Sequence, residues 1–203
     1  MKHIVITVGC EYGCGGPKIG KIIAEDLGIE YYDRELIDSI IEETGVSRSV
    51  MEMAEAGVDI KGRDISLQNT QSPTKYSNLT QRVVYIQTEV VKKLAERTSC
   101  VIIGRCSDYI LKDRKDCLNV FIYAPDDVRI QTVMEEQHVS EEQARELIEQ
   151  NDKMLHARYK QMTGTYRGDR HNRHMLIDSS VLGINRTAKF IENLAAQMFG
   201  EML

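Results

Sequence analysis

The sequence predicts an α/β fold, a five-stranded parallel sheet with helices on both faces. Three observations carry this. Short runs rich in Val and Ile alternate with longer segments whose apolar residues recur every three or four positions. The short runs are apolar at consecutive positions, as in strands covered on both faces. The residues that follow them are glycine, aspartate and arginine, at the sheet edge where open α/β folds bind ligands.

The elements follow in order. Residues 3–8 form the first strand, stopped by Gly9. A glycine loop spans 9–16. Pro17 suits the first turn of a helix, whose stripe is Ile19, Ile22, Ile23 and Leu27 and whose C-terminal cap is Gly28. Residues 29–32 are a short second strand. Leu36, Ile37, Ile40 and Ile41 have helical spacing, and 47–56 is a further short helix before Gly57. Residues 59–78 are polar, without apolar periodicity. They read as a surface loop, a homo-oligomer contact or part of a substrate cover.

Residues 79–97 form a long helix and 100–103 the third strand. Residues 118–123 form the fourth, and Pro125 with Asp126 and Asp127 opens another helix. Ser140-Glu141-Glu142-Gln143 is a capping box for a helix running towards Tyr159. Residues 162–173 are a loop, 175–177 the fifth strand and 183–199 the last helix.

The 203 residues suit one domain, and 42% hydrophobic with 28% charged residues excludes a disordered chain. A net charge of −5 gives no general attraction to nucleic acid polymers or anionic membranes. The apolar start is too short for a signal peptide or a membrane span. The five cysteines are odd in number and lack C-x-x-C spacing. They read as reduced thiols, without a metal site, in a cytoplasmic protein.

Four constellations carry chemistry. The first is Gly9-Cys10-Glu11-Tyr12-Gly13-Cys14-Gly15-Gly16-Pro17-Lys18. A strand, a glycine turn and a helix N-terminus make an anion site from backbone N–H groups, or simply a tight strand–helix turn. It departs from G-x-x-x-x-G-K-[ST], because with Gly15 as the last loop glycine Gly16 stands at the lysine position, and no hydroxyl residue follows. The second is Tyr31-Tyr32-Asp33-Arg34-Glu35. Asp33 fits a group that orients or deprotonates an acceptor hydroxyl, a holder of a metal-bound water, or a helix N-cap. Arg34 fits a phosphate clamp or a surface ion pair. The third is Ile103-Gly104-Arg105-Cys106-Ser107-Asp108. It places a guanidinium at the sheet edge, where burial without an anion is costly; Asp108 is its simplest partner. The fourth is a cationic stretch in an acidic chain: Lys153, Arg158, Lys160, Arg167, Arg170 and Arg173. His156, His171 and His174 lie nearby without ligand spacing.

In this order the pieces resemble the cytidylate kinase-like branch of the P-loop nucleoside monophosphate kinases. The likeness rests on Glu11-Tyr12-Gly13-Cys14-Gly15-Gly16, Tyr31-Tyr32-Asp33-Arg34-Glu35 and Ile103-Gly104-Arg105-Cys106-Ser107-Asp108. Residues 124–129 and 176–180 add to it. The resemblance implies a three-layer P-loop NTPase fold with a helical lid at 150–173 and an acceptor-side helical insertion at 34–98. It implies ATP with Mg²⁺ and phosphoryl transfer to a small-molecule acceptor. Gly13, Cys14, Gly15, Gly16, Pro17 and Lys18 would hold the donor. Asp33, Arg34, Arg105, Asp108 and Lys153 would hold the acceptor, and Lys18, Asp33, Arg105 and Arg158 would act in catalysis. The chain departs from the family pattern in lacking the loop lysine, which Lys18 or Lys21 would have to replace. It also has Cys106 for the carboxylate of G-R-D, and Pro17 for an arginine. A kinase with another metabolite as acceptor and a nucleotide-binding sensor are the alternatives.

Overall fold

A computed structural model describes residues 3–55 and 79–200. Strand β1 (Val5–Cys10) leads through the glycine loop into helix α1 (Gly16–Leu27) and then β2 (Glu30–Tyr32). Three helices follow, α2 (Arg34–Glu43), α3 (Arg48–Glu55) and α4 (Leu79–Arg97). After β3 (Cys100–Ile103) come the short α5 (Ser107–Ile110), β4 (Cys117–Tyr123) and α6 (Asp126–Gln137). Then come α7 (Glu141–Thr163), a 3₁₀ turn (Arg170–Asn172), β5 (Met175–Asp178) and α8 (Ser179–Phe199). The polar stretch 59–78 lies outside the described residues.

The sheet is all parallel, as the alternating pattern predicts, and its strand order is β2-β3-β1-β4-β5. Its two faces are separate cores. Val5, Cys100 and Ile102 face α2 and α4 through Ile37, Ile41 and Val91. Ile4, Ile6, Val8, Val101 and Ile103 face α1 and α8 through Ile19, Ile23, Ala188 and Ile191. Each such fully buried aliphatic side chain contributes about 2 kcal/mol. The strands are therefore apolar at every position because both of their faces are covered.

Caps fix the helix starts. The Ser140–Gln143 capping box forms with bonds of 3.3 and 3.0 Å. It opens a 23-residue helix that runs past Tyr159 to Thr163. Gly183 breaks α8 at φ 72°, ψ 171°, so the long run of regular helix begins after it. The four-residue α5 lacks the apolar repeat that would announce it in the sequence. Among the described residues no helix is long and apolar enough to cross a membrane.

Candidate active site

The glycine loop is held from behind by backbone and small side chains. Glu11 N–H donates to Ile122 O at 3.0 Å, and Ser179 Oγ donates to Cys14 O at 2.7 Å and to Tyr123 O at 3.2 Å. Gly13 has φ 81°, and a Cβ there would lie 2.9 Å from the Arg129 carbonyl oxygen. Only glycine fits both the torsion and the space. The loop ends at the N-terminus of α1, with Pro17 in the first turn where its missing N–H costs nothing. That end presents N–H groups and the positive pole of the helix.

In front of the loop lies a cleft of about 560 Å³ along the C-terminal ends of the strands. It brings together Gly13, Gly15, Pro17, Lys18, Asp33, Arg34, Arg105, Asp108 and Arg158. Cys14 and Gly16, in the same loop, are buried and do not line the cleft. Lys153 does not reach this cleft and lines a separate open hollow beside α7. The ammonium of Lys18 pairs with Glu136 at 2.6 Å on the rim.

The far end of the cleft is a cationic cluster built around one carboxylate. Gly104, Arg105 and Cys106 follow β3 with φ of 66°, 54° and 54°. Two adjacent non-glycine residues in the left-handed region store about 1 kcal/mol or more each. Gln87 Nε2 holds this turn by donating to Arg105 O at 2.8 Å from inside α4. The turn sends the Arg105 side chain onto Asp38, and Arg34 Nε lies 3.8 Å from the same carboxylate. Arg158 on α7 is close enough to feel both Arg34 and Asp38. Burial pushes the guanidinium groups of Arg105 and Arg158 down to about 10. Burial also holds the Asp38 carboxyl above its usual range, against the pull of Arg105, Arg34 and Arg158. Both partners are thus pushed towards neutrality, and an anion in the cleft would relieve the cations.

Asp108 does not pair with Arg105 as the sequence predicts. Arg105 leaves the turn towards α2, and Asp108, on α5, meets Arg173 and accepts from Tyr159 Oη at 2.6 Å. Burial lowers Arg173 to about 10 and raises the Tyr159 phenol. Asp33 caps α2, accepting from Leu36 N–H at 2.8 Å.

Helix α7 is tied to the loop by charge. Asp152 Oδ1 accepts Tyr12 N–H at 3.2 Å, and its other oxygen pairs with Arg129. Arg129 Nε donates to Tyr12 O at 2.8 Å. Arg167 donates to Cys10 O and lies 3.5 Å from Asp152 Oδ1. Glu11, 3.7 Å from Arg129, has its carboxyl raised by burial, which outweighs the lowering effect of that guanidinium. Asp38, Gln87, Arg129, Asp152 and Tyr159 escape the sequence reading. Asp38 carries a signal even so, lying four residues after Arg34 on a helix.

A protein of Eubacterium ventriosum ATCC 27560, titled uncharacterized, has the same fold, with a TM-score of 0.73 at 23% identity over 95% of this chain and 98% of its own. A shikimate kinase from Acinetobacter baumannii in complex with shikimate gives 0.53 at 17% identity over 97% and 94%. A gluconokinase from Sinorhizobium meliloti 1021 gives 0.54 at 11% identity over 97% and 93%. A comparison with curated proteins finds no match. The model of the cytidylate kinase-like family matches residues 5–181, the whole sheet and all of the cleft, and the chain belongs to that family.

Proposed function

We propose that this protein is an ATP-dependent phosphotransferase whose acceptor is a small phosphate ester, a nucleoside monophosphate before others. One observation carries the reading. Arg34, Arg105 and Arg158 surround the single carboxylate of Asp38 at one end of a cleft whose other end is a glycine loop on a helix N-terminus. Two net positive charges, partly desolvated, suit a dianionic phosphate.

In this reading the N–H groups of Gly13, Cys14, Gly15 and Gly16 hold the donor phosphates. Pro17 offers no N–H, and Lys18 contributes its backbone N–H while its ammonium stays with Glu136. Arg105 and Arg34 fix the acceptor phosphate, with Arg158 and the other cations of α7 and the following loop closing over it. An acceptor oxygen attacks the γ-phosphorus in line, its new bond forming as the bond to the bridging oxygen breaks. The cations of the cleft stabilise the charge on the transferring group.

A magnesium ion suits the donor set present. Among the described residues no three potential ligand side chains cluster, which fits an ion held mainly by phosphate oxygens and water. Asp33 spends one oxygen on the α2 cap and keeps the other for a metal-bound water. When bound, the ion neutralises charge on the donor oxygens.

A second reading keeps the donor end and takes a hydroxy acid as acceptor. It is favoured by the same free oxygen of Asp33, which suits an acceptor hydroxyl, and by the likeness in fold to a shikimate kinase and a gluconokinase.

Thermal unfolding with Mg-ATP, alone and with CMP, dCMP, UMP, AMP, shikimate or gluconate, tests both readings. A ligand that binds only the folded chain must raise the midpoint. A rise with ATP and a further rise with one monophosphate supports the first reading, to be followed by a coupled ADP-release assay. A further rise with a hydroxy acid alone supports the second. No rise with millimolar Mg-ATP removes the kinase reading.

A further inference from the structure

The loop carries a paired exchange. In G-x-x-x-x-G-K-[ST] the first position is glycine and the residue after the last glycine is lysine. With Gly15 as the last glycine, Cys10 stands at the first position and Gly16 at the lysine position. A Cβ on Gly16 would lie 2.4 Å from Cys10 Cβ and 2.7 Å from its Sγ. The backbone of Gly16 is already helical, so torsion does not call for glycine there; the Cys10 side chain does. A side chain at 10 and a side chain at 16 exclude one another, and the lysine is absent because its root is occupied.

The donor phosphates then need a cation from elsewhere. Among the described residues six cations line the cleft: Lys18, Arg34, Arg105, Arg158, Arg167 and Arg173. Lys18 pairs with Glu136 on the rim. Arg34, Arg105 and Arg158 gather about Asp38 at the far end. Arg173 is engaged by Asp108 and Tyr159. Of the six, Arg167 hydrogen-bonds the loop backbone, at the carbonyl of Cys10, the residue that displaces the lysine, and lies 3.5 Å from Asp152 Oδ1. Its side chain is 15% exposed and borders both the cleft and the hollow beside α7.

We infer that Arg167 supplies the donor-phosphate charge that the loop lysine supplies elsewhere. This rests on the donor site proposed above. Its consequence is that the cation arrives from the segment after α7 and not from the loop, so donor binding is coupled to the placement of that segment.

Calorimetric titration with Mg-ATP and with inorganic tripolyphosphate tests the assignment. Arg167→Ala is expected to weaken both about thirtyfold, the worth of one charge-assisted hydrogen bond. Arg167→Lys is expected to recover part of the loss. Lys92→Ala, on the exposed side of α4 beside Glu89, is expected to change neither. Arg167→Ala with wild-type affinity for both ligands overturns the assignment.

The packing half is read separately and needs no nucleotide. Gly16→Lys is expected to lower the unfolding midpoint, and Cys10→Gly added to it to restore the midpoint. An unchanged midpoint in Gly16→Lys overturns the exclusion argument. A wild type that binds neither ATP nor tripolyphosphate removes the donor site and this assignment together. Wild-type binding with an indifferent Arg167→Ala removes only the assignment.

Discussion

The two ends of the cleft present positive charge by opposite means. At the loop the groups offered are backbone N–H groups, and the side chains are small or absent. At the far end the cationic groups are guanidinium groups, two of them buried, and the backbone of one, Arg105, is strained to aim it. Arg167 apart, the loop should therefore tolerate changes of charge nearby and fail when a methyl group is added. The arginine cluster should do the reverse.

The largest effect expected is at the cluster. Arg105→Ala should lower kcat/KM for the acceptor at least about a hundredfold, near 2.7 kcal/mol. It should also lower folding stability by about 3 kcal/mol, because Asp38 is left buried without its partner. The midpoint shift produced by Mg-ATP should survive. Equal loss at donor and acceptor would erase the contrast between the two ends.

Next comes Gly13→Ala, which forces a Cβ against the Arg129 carbonyl in the left-handed region. Stability should fall by about 2 kcal/mol and ATP affinity about tenfold, with sulfate binding at the cluster kept. Sulfate binding lost in step with ATP would show that the ends are not independent.

A smaller effect comes from pH. Burial holds the Asp38 carboxyl above 3.8, so the folded chain takes up a proton where the unfolded chain has not. From this group, stability rises as the pH falls through that window and is lower at neutral pH. The cluster also gains positive charge in the same window. Sulfate, whose own charge is constant there, should bind about fivefold tighter in mild acid, and the rise should vanish in Asp38→Asn. A rise that persists in that variant would assign the titration to another group.

The smallest effects are expected at the exposed cations. Lys18→Ala keeps its backbone N–H and loses only the rim pair with Glu136, and Lys153 lies outside the cleft. Each substitution should change stability by under about 0.5 kcal/mol and ATP affinity by under about threefold. A larger loss at Lys18 would return the ammonium to the donor phosphates and weaken the case for Arg167.

Most of the fold is legible in the sequence because strand and helix periods differ and the runs are long. The strands read as apolar blocks since Val5 and Ile6 face different cores. The short α5 escapes, having no repeat to show. At the site, the residues that sit at strand ends are legible: Gly13, Asp33 and Arg105 all line the cleft. Their partners are not. Nothing local says that Arg105 turns to Asp38, 67 positions earlier, or that Asp108 turns to Arg173, because a left-handed turn at Arg105 and Cys106 decides both. Gln87 is hidden for the same reason, its role being to hold a carbonyl 18 residues away.

The loop's dependence on distant chain has a consequence for synthesis. Residues 9–16 leave the ribosome before the groups that hold their shape, Ile122 O and the hydroxyl of Ser179. Their strand pairs with residues 100–103 on one side and 117–122 on the other. Such long-range pairings form only after large loops close. A nascent chain stalled before β4 carries the whole glycine motif and no site. One stalled with β4 complete but Ser179 still in the exit tunnel lacks the back of the loop. If the proposed donor site is right, nucleotide binding by ribosome-held chains should switch on in a single step, once Ser179 has emerged.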